Sequence, residues 1–118
     1  MRVFFKSEPP VLHAALAEGD SLDHLTAPFV RDEVTSRLVQ DGVLLLDFGP
    51  VRSIDSAGVG ALVAMLKSVR KVNGRMALVG IKPSVLSVLE IIRLTTVFEI
   101  FPDEKAALAA LVPAAAKG

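Results

Sequence analysis

Apolar residues along the chain fall into two kinds of run. The segments Val43–Phe48 and Met76–Val79 are short and almost continuously apolar, which is typical of parallel strands covered on both faces. Between them, apolar residues recur at helical spacing from Ser56 to about Val72, where Asn73-Gly74 ends the pattern. This alternation predicts βαβ crossovers and a mainly parallel sheet.

The N-terminal part predicts a hairpin followed by a helix. Two apolar runs, Val3–Phe5 and Val11–Ala17, flank the turn at Pro9-Pro10 and predict an antiparallel pair. A first helix is predicted to begin at Thr26 as its cap and to end at Asp41-Gly42. It carries Val30, Val34 and Leu38 at helical spacing.

The C-terminal part predicts a third helix, a last strand and a fourth helix. Pro83 opens a helix with one apolar stripe, which consists of Val85, Val88, Leu89 and Ile92. A strand is predicted over Val97–Phe101, and Asp103 caps a helix that ends near Leu111. Residues 113–118 are expected to form a loose tail. We therefore predict a single α/β domain over residues 1–118, with a mixed, mostly parallel sheet of four or five strands and about four helices.

Composition narrows the possible functions. The 118 residues include 13 basic and 13 acidic side chains, so there is no net basic field to attract nucleic acid. Cysteine is absent, which agrees with a cytoplasmic location without requiring it. The apolar run Ala57–Leu66 is far shorter than the roughly 20 residues of a membrane span. We expect a soluble domain that binds neither nucleic acid nor membrane.

Common catalytic and cofactor motifs are incomplete in this sequence. Gly58-Val59-Gly60 begins like a dinucleotide fingerprint but lacks the third glycine, and no Gly-Lys-Ser/Thr element of a P-loop is present. A nucleophile elbow around Ser56 would need glycine where Ile54 stands. His13 and His24 have no second metal ligand at suitable spacing, and we expect a half-buried strand residue and a loop residue, respectively. We predict no enzymatic activity, no bound metal and no cofactor.

One alternative is a receiver-like domain that is phosphorylated on an aspartate. Lys82-Pro83 after a predicted strand is similar to the lysine that approaches the phospho-aspartate in receiver domains. Those domains also need an acidic pair after the first strand and an aspartate at the end of the third. Here only Ser7-Glu8 follows the first strand, and Asp47 is predicted to lie inside a strand. Pro83 is more simply a helix start.

The segment from Asp47 to Leu62 contains a buried strand ending near an aspartate, a short turn, and Asp-Ser-x-Gly opening a helix. The order of these three elements resembles that of the STAS family, which includes sulfate-transporter C-terminal domains and anti-sigma factor antagonists. The resemblance continues through Gly74–Gly80 and Leu94–Ile100, and it covers roughly residues 11 to 111.

The resemblance implies a regulatory role. In stand-alone antagonists, a protein kinase that is also an anti-sigma factor phosphorylates the serine of Asp-Ser-x-Gly, which is Ser56 here. The unphosphorylated antagonist binds the kinase and frees the sigma factor, whereas phosphorylation releases the kinase. A phosphatase is the expected second partner, and ATP and magnesium belong to the kinase. The alternative within the family is a scaffold subunit of a stress-sensing or membrane-transport complex, in which Ser56 only caps its helix.

The sequence departs from the family pattern at two places near this motif. Ala57 stands where a second hydroxyl residue is common, so Ser56 is the only hydroxyl of the motif. The loop Gly19–Asp23 resembles the family's Gly-x-Leu-Asp but is one residue longer.

The helix after Ser56 also predicts a docking face. The stripe facing the core is predicted to contain Val59, Leu62, Val63, Leu66 and Val69. The opposite side has small, uncharged residues, which favour docking of a partner but could also be covered by another element of the chain: Ala57, Ala61, Ala64, Met65 and Ser68. The predicted partner-binding residues are Asp23, Asp55, Ser56, Ala57, Gly58, Ala61 and Met65.

Overall fold

A computed structural model describes residues 1–112 and contains seven strands and four α-helices within that range. The strands are β1 (Arg2–Glu8), β2 (Val11–Ala17), β3 (Ser21–Leu22), β4 (Val43–Asp47), β5 (Ser53–Ile54), β6 (Arg75–Val79) and β7 (Glu99–Phe101). The helices are α1 (Ala27–Thr35), α2 (Ser56–Lys71), α3 (Pro83–Ile91) and α4 (Glu104–Leu111), with a short 3₁₀ helix at Leu94–Thr96. The predicted loose tail, residues 113–118, lies outside the described residues.

Five strands form one mixed sheet in the order β1-β2-β4-β6-β7. β1 is antiparallel to β2, and the remaining neighbours are parallel. The predicted α/β class, with its N-terminal hairpin and mostly parallel sheet, is therefore confirmed. No helix within residues 1–112 combines the length and the apolar character that a bilayer span requires.

The two faces of the sheet have separate cores, because side chains alternate along each strand. Leu44 and Leu46 of β4 pack into the larger core with α1, α2 and α3. Val43 and Leu45 face the opposite side and pack with Ala107 and other residues of α4. The almost continuously apolar sequence of β4 thus reflects burial on both faces, as predicted.

A second, two-stranded sheet pairs β3 with β5 and positions the segment that contains Ser56. The two strands are parallel, and the Asp20 carbonyl accepts hydrogen bonds from the backbone N–H groups of Arg52 at 2.7 Å and Ser53 at 3.1 Å. The sequence did not predict these strands, since two residues carry no measurable period. Their pairing places the turn after Leu22 beside the start of α2.

Several predicted boundaries were wrong. Helix α1 ends at Thr35, so Leu38 lies beyond the helix. Thr26 occupies the cap position but makes no side-chain cap bond; Asp23 Oδ1 accepts from Thr26 N instead, at 3.2 Å. The last strand begins only at Glu99, because the left-handed residue Arg93 (φ 61°) leads into a 3₁₀ turn. The predicted cap of α4 is confirmed, with Asp103 Oδ1 accepting from Ala106 N at 2.8 Å.

Candidate functional site

The start of α2 is capped by Asp55, not by Ser56. Asp55 Oδ1 accepts a hydrogen bond from Gly58 N at 2.9 Å, which satisfies one of the free N–H groups of the first turn. The alternative in which Ser56 caps the helix was wrong about the cap, because two adjacent residues of cap-forming type compete and the aspartate takes the extended cap conformation. Ser56 is the first residue of the helix and is exposed.

The other oxygen of Asp55 joins α2 to the turn that precedes α1. Asp55 Oδ2 accepts from His24 N at 3.1 Å and lies 3.5 Å from His24 Nδ1. The hydrogen bond from Gly58 N is the main cause of a lowered pKa of the Asp55 carboxyl, and the backbone and ring of His24 lower it further. Asp55 therefore fixes the helix start and ties it to a second loop while remaining charged.

Asp23 orders that second loop through hydrogen bonds with the two residues that precede α1. Its Oδ1 accepts from Leu25 N at 2.9 Å and from Thr26 N, forming a local aspartate turn at the start of α1. The Leu25 N–H is the main cause of a lowered pKa of the Asp23 carboxyl. Although the loop is one residue longer than the family pattern, β3 brings it beside α2 through the Asp55 N to Leu22 O bond of 3.3 Å.

The glycine of the Asp-Ser-x-Gly element has a packing role. A Cβ atom on Gly58 would overlap the backbone carbonyl of Leu22 and would lie 2.6 Å from Ile54 Cγ1. Gly58 is buried, so it lets the small sheet and α2 approach each other and offers no surface to a partner. Ala57 is half-buried at the edge of the exposed region.

The prediction of a docking face on α2 was wrong for two of its residues. Ala61 is 5% exposed and Met65 is fully buried, so both belong to the core of the domain. Because α1 packs against α2, the buried side of α2 includes Ala61 and Met65. Val59 and Val63, which were predicted to face the core, are only partly buried. The alternative stated for this face, cover by another element of the same chain, is the one observed.

An apolar groove that the sequence did not predict lies beside Ser56, between α2 and α3. Its volume is about 310 Å³, and it is lined by Ile54, Asp55, Ser56, Val59, Val88 and Ile92. Ile92 is 45% exposed, although it was assigned to the core stripe of α3 with Val88. The sequence carries no clear signal for this exposure, because adjacent helical residues such as Val88 and Leu89 can share one apolar stripe, and Ile92 fits the same stripe.

A second exposed apolar pair lies on the α1 side of the same region. Leu25, in the turn before α1, is 78% exposed, and Phe29, in the first turn of α1, is 49% exposed. Leu25 follows His24, whose backbone contacts Asp55. This hydrogen bond links the start of α2 to the turn that contains Leu25.

The first residues of α3 are tied to the loop that leads into α2. Lys82 Nζ donates to the Gly49 carbonyl at 2.5 Å, and Ser84 Oγ donates to the Arg52 carbonyl at 2.5 Å. Asp47 is the last residue of β4, so the prediction that it lies inside the strand was wrong. Lys82 nevertheless bonds the loop backbone, which gives it a structural role instead of the one it would have in a receiver domain.

Comparison with known proteins agrees with this architecture. The family model described as STAS domain matches residues 16–107. The anti-sigma-B factor antagonist of Listeria monocytogenes is 29% identical over 89 residues, which cover 75% of this chain and 78% of that protein.

Two solved structures show the same fold. The anti-sigma-factor antagonist (STAS) domain protein of Planctomyces limnophilus superimposes with a TM-score of 0.81 at 18% identity, over 92% of this chain and 97% of that one. The Bacillus cell fate determinant SpoIIAA in its phosphorylated form superimposes with a TM-score of 0.67 at 17% identity, over 92% and 99% of the two chains. With the family model matching most of the sequence, the chain belongs to the STAS domain family.

Proposed function

We propose that this protein is an anti-sigma factor antagonist, a regulatory protein that acts by binding and not by catalysis. Its partner is a protein serine kinase that is also an anti-sigma factor, and phosphorylation of Ser56 releases that partner. The similarity to the Listeria antagonist supports the antagonist role, and the phosphorylated form of Bacillus SpoIIAA supports control by phosphorylation. In this proposal the protein regulates transcription by partner switching in the cytoplasm, and a phosphatase restores the unmodified form.

The observation that carries the proposal is the division of roles between Asp55 and Ser56. Asp55 caps α2, so the exposed Ser56 hydroxyl is not needed to hold the helix. A phosphoryl group can therefore be attached to Ser56 without removing the cap. Free N–H groups and the positive end of the helix dipole favour an anion at this position.

Phosphorylation would act mainly on the surface that a partner contacts. The phosphate adds a charge of about −1.5 to −2 beside the Asp55 carboxylate. The groove next to Ser56 is apolar, with Val59, Val88 and Ile92 in its walls. A partner side chain seated in this groove would bring low-dielectric surface against the new charge, and burying an unpaired charge is costly. The fold keeps its core, whereas the complex loses affinity.

The same geometry defines the proposed docking surface. It consists of Ser56, the α2–α3 groove, and the exposed residues Leu25 and Phe29 before and within the first turn of α1. An exposed apolar groove that includes the proposed phosphorylation site is typical of protein interaction sites. This surface replaces the buried face around Ala61 and Met65 that the sequence suggested.

The direct test is phosphorylation by the cognate kinase. The purified protein is incubated with that kinase and ATP, and the phosphate is mapped by mass spectrometry. We expect one phosphate, on Ser56, and none on a Ser56→Ala variant. Phosphate on Ser53, Thr95 or Thr96 with Ser56 unmodified would contradict the proposal. No modification at all, together with stable binding to a larger assembly, would instead support a scaffold subunit.

A further inference from the structure

One face of the sheet is covered by α1, α2 and α3, and the other face is covered only in part, by α4. A cavity lies on the uncovered part of that second face. α4 packs on β4, β6 and β7. One row of paired residues crosses the uncovered part: Phe4 is opposite Ala15, Ala15 is opposite Asp47, and Asp47 is opposite Val79. Because alanine stands between two larger side chains, the sheet surface is hollow at this point.

The hollow is a cavity of about 220 Å³ with an apolar floor and polar walls. Ala15, Leu45 and Val79 contribute its apolar surface, and Phe4 forms one side. This volume is below the roughly 300–1,000 Å³ of sites for drug-sized ligands. A molecule with one ring or a short chain is therefore the largest that it would enclose.

Most charged groups around the cavity are already paired. Lys6 Nζ lies 2.7 Å from Glu8 Oε1, which also raises the pKa of Lys6 and so keeps it charged. Arg2 Nε lies 3.5 Å from Glu18 Oε2. His13 Nδ1 lies 3.4 Å from Glu104 Oε2. The first two pairs leave little net positive charge beside the cavity.

Asp47 differs from those groups. Its Oδ1 accepts from Gly49 N at 2.8 Å, and the carboxylate has no ion-pair partner within residues 1–112. On the other side of the cavity, the half-exposed ring of Phe4 offers an apolar surface, and the Arg2 guanidinium lies 5.0 Å from its centre. An unpaired carboxylate and an aromatic ring on either side of an apolar floor match a small organic cation.

We propose that this cavity binds a small organic amine, with its ammonium group on the Asp47 carboxylate and its apolar part between Phe4 and the floor at Ala15 and Leu45. The site is separate from the surface around Ser56, and it does not depend on the proposed antagonist function. Charge-assisted hydrogen bonding to Asp47 gives the selectivity for a cation, and the alanine-floored hollow limits the size.

The test is an NMR titration of the full chain with phenethylamine as the probe and 3-phenylpropionate as its anionic counterpart of similar shape. We expect phenethylamine to cause saturable shifts at the signals of Ala15, Leu45 and Val79, and we expect 3-phenylpropionate to cause none. The absence of saturable shifts with phenethylamine, or equal binding of both probes, would overturn the proposal.

Two variants locate the site. Asp47→Asn keeps an oxygen that can accept from Gly49 N but removes the charge, so it should weaken phenethylamine binding about tenfold or more. Ala15→Leu fills the hollow and should abolish saturable binding even if the first variant folds poorly. Glu90→Gln, an exposed change on α3, is the matched control and should bind as the wild type does. Unchanged affinity in both Asp47→Asn and Ala15→Leu would place the amine elsewhere and overturn the assignment.

Discussion

The carbonyl oxygen of Leu22 occupies the space that a Cβ atom on Gly58 would need. Leu22 ends β3, and Gly58 lies in the first turn of α2, so this contact sets how closely the small sheet approaches the helix that begins at Ser56. Within the Asp-Ser-x-Gly element, the glycine therefore serves packing, the aspartate serves capping, and the serine is the residue left free for modification.

The two glycines of α2 should respond in opposite ways to alanine. Gly58→Ala should destabilise the fold by about 1–3 kcal/mol, because the new methyl group overlaps backbone and cannot be relieved by a side-chain movement. Gly60→Ala should stabilise it by about 0.5–1 kcal/mol, since position 60 is helical, exposed and has nothing within 4 Å of the new atom. Urea denaturation of both variants measures the difference, and equal effects would contradict the close approach at Gly58.

The burial of Ala61 leads to a stability prediction in place of a binding one. Ala61→Glu should lower the free energy of unfolding by about 3–5 kcal/mol, because the carboxylate would be placed unpaired between α2 and α1. Lys67→Glu, an exposed change on the same helix, should shift it by less than about 0.5 kcal/mol. Thermal melting compares the two, and a wild-type melting temperature for Ala61→Glu would mean that position 61 is exposed.

The lowered pKa of Asp55 predicts the direction of a pH effect. A carboxyl whose pKa is lower in the folded state stabilises the fold above its ordinary value of 3.8, and this contribution is lost as the pH falls through the folded value. Asp55→Asn keeps a cap-forming side chain but cannot titrate. Between about pH 5 and about pH 2, its free energy of unfolding should therefore decrease less than that of the wild type. Denaturation curves at several pH values test this, and identical acid profiles would contradict it.

The proposed docking groove predicts a loss of binding without a loss of folding. Ile92→Asp should weaken binding to the kinase at least tenfold, because a carboxylate would enter the apolar groove beside Ser56. Val39→Asp is the matched control: Val39 is 55% exposed and precedes β4, whereas Ser56 follows that strand, so the two positions lie at opposite ends of it. Calorimetry with the kinase should show wild-type affinity for the control. Equal affinity of both variants would exclude the groove from the interface.

The parts of the fold that follow from strong periodicity were predictable, and those that depend on tertiary contacts were not. Continuous apolar runs such as Val43–Phe48 identified buried strands, since few other structures bury every side chain of a short segment. The pairing of β3 with β5 depends on which loops meet, and two residues carry no pattern. The face of α2 was misjudged because both Val59 and Ala61 are compatible with burial, and only the position of α1 decides between them.

The candidate site, too, was predictable from the sequence only in part. The resemblance identified Asp55 and Ser56, but cap-forming propensity could not decide which of the two adjacent residues caps α2. The hydrogen bond from Gly58 N to Asp55 Oδ1 assigns the cap to Asp55. The α2–α3 groove was missed because it is formed by residues distant in sequence, Val59 and Ile92, that each look like ordinary core positions.

In the proposed switch, one phosphate on Ser56 separates the protein from its kinase. Its most direct test is calorimetric binding of the kinase to four purified forms: wild type, Ser56-phosphorylated wild type, Ser56→Ala and Ser56→Asp. The wild type and Ser56→Ala should bind equally well, since Asp55 keeps the cap in both. The phosphorylated form should show no measurable binding, and Ser56→Asp should be intermediate, because a carboxylate carries less charge than a phosphate. Equal affinity of the phosphorylated and unphosphorylated forms would contradict the switch.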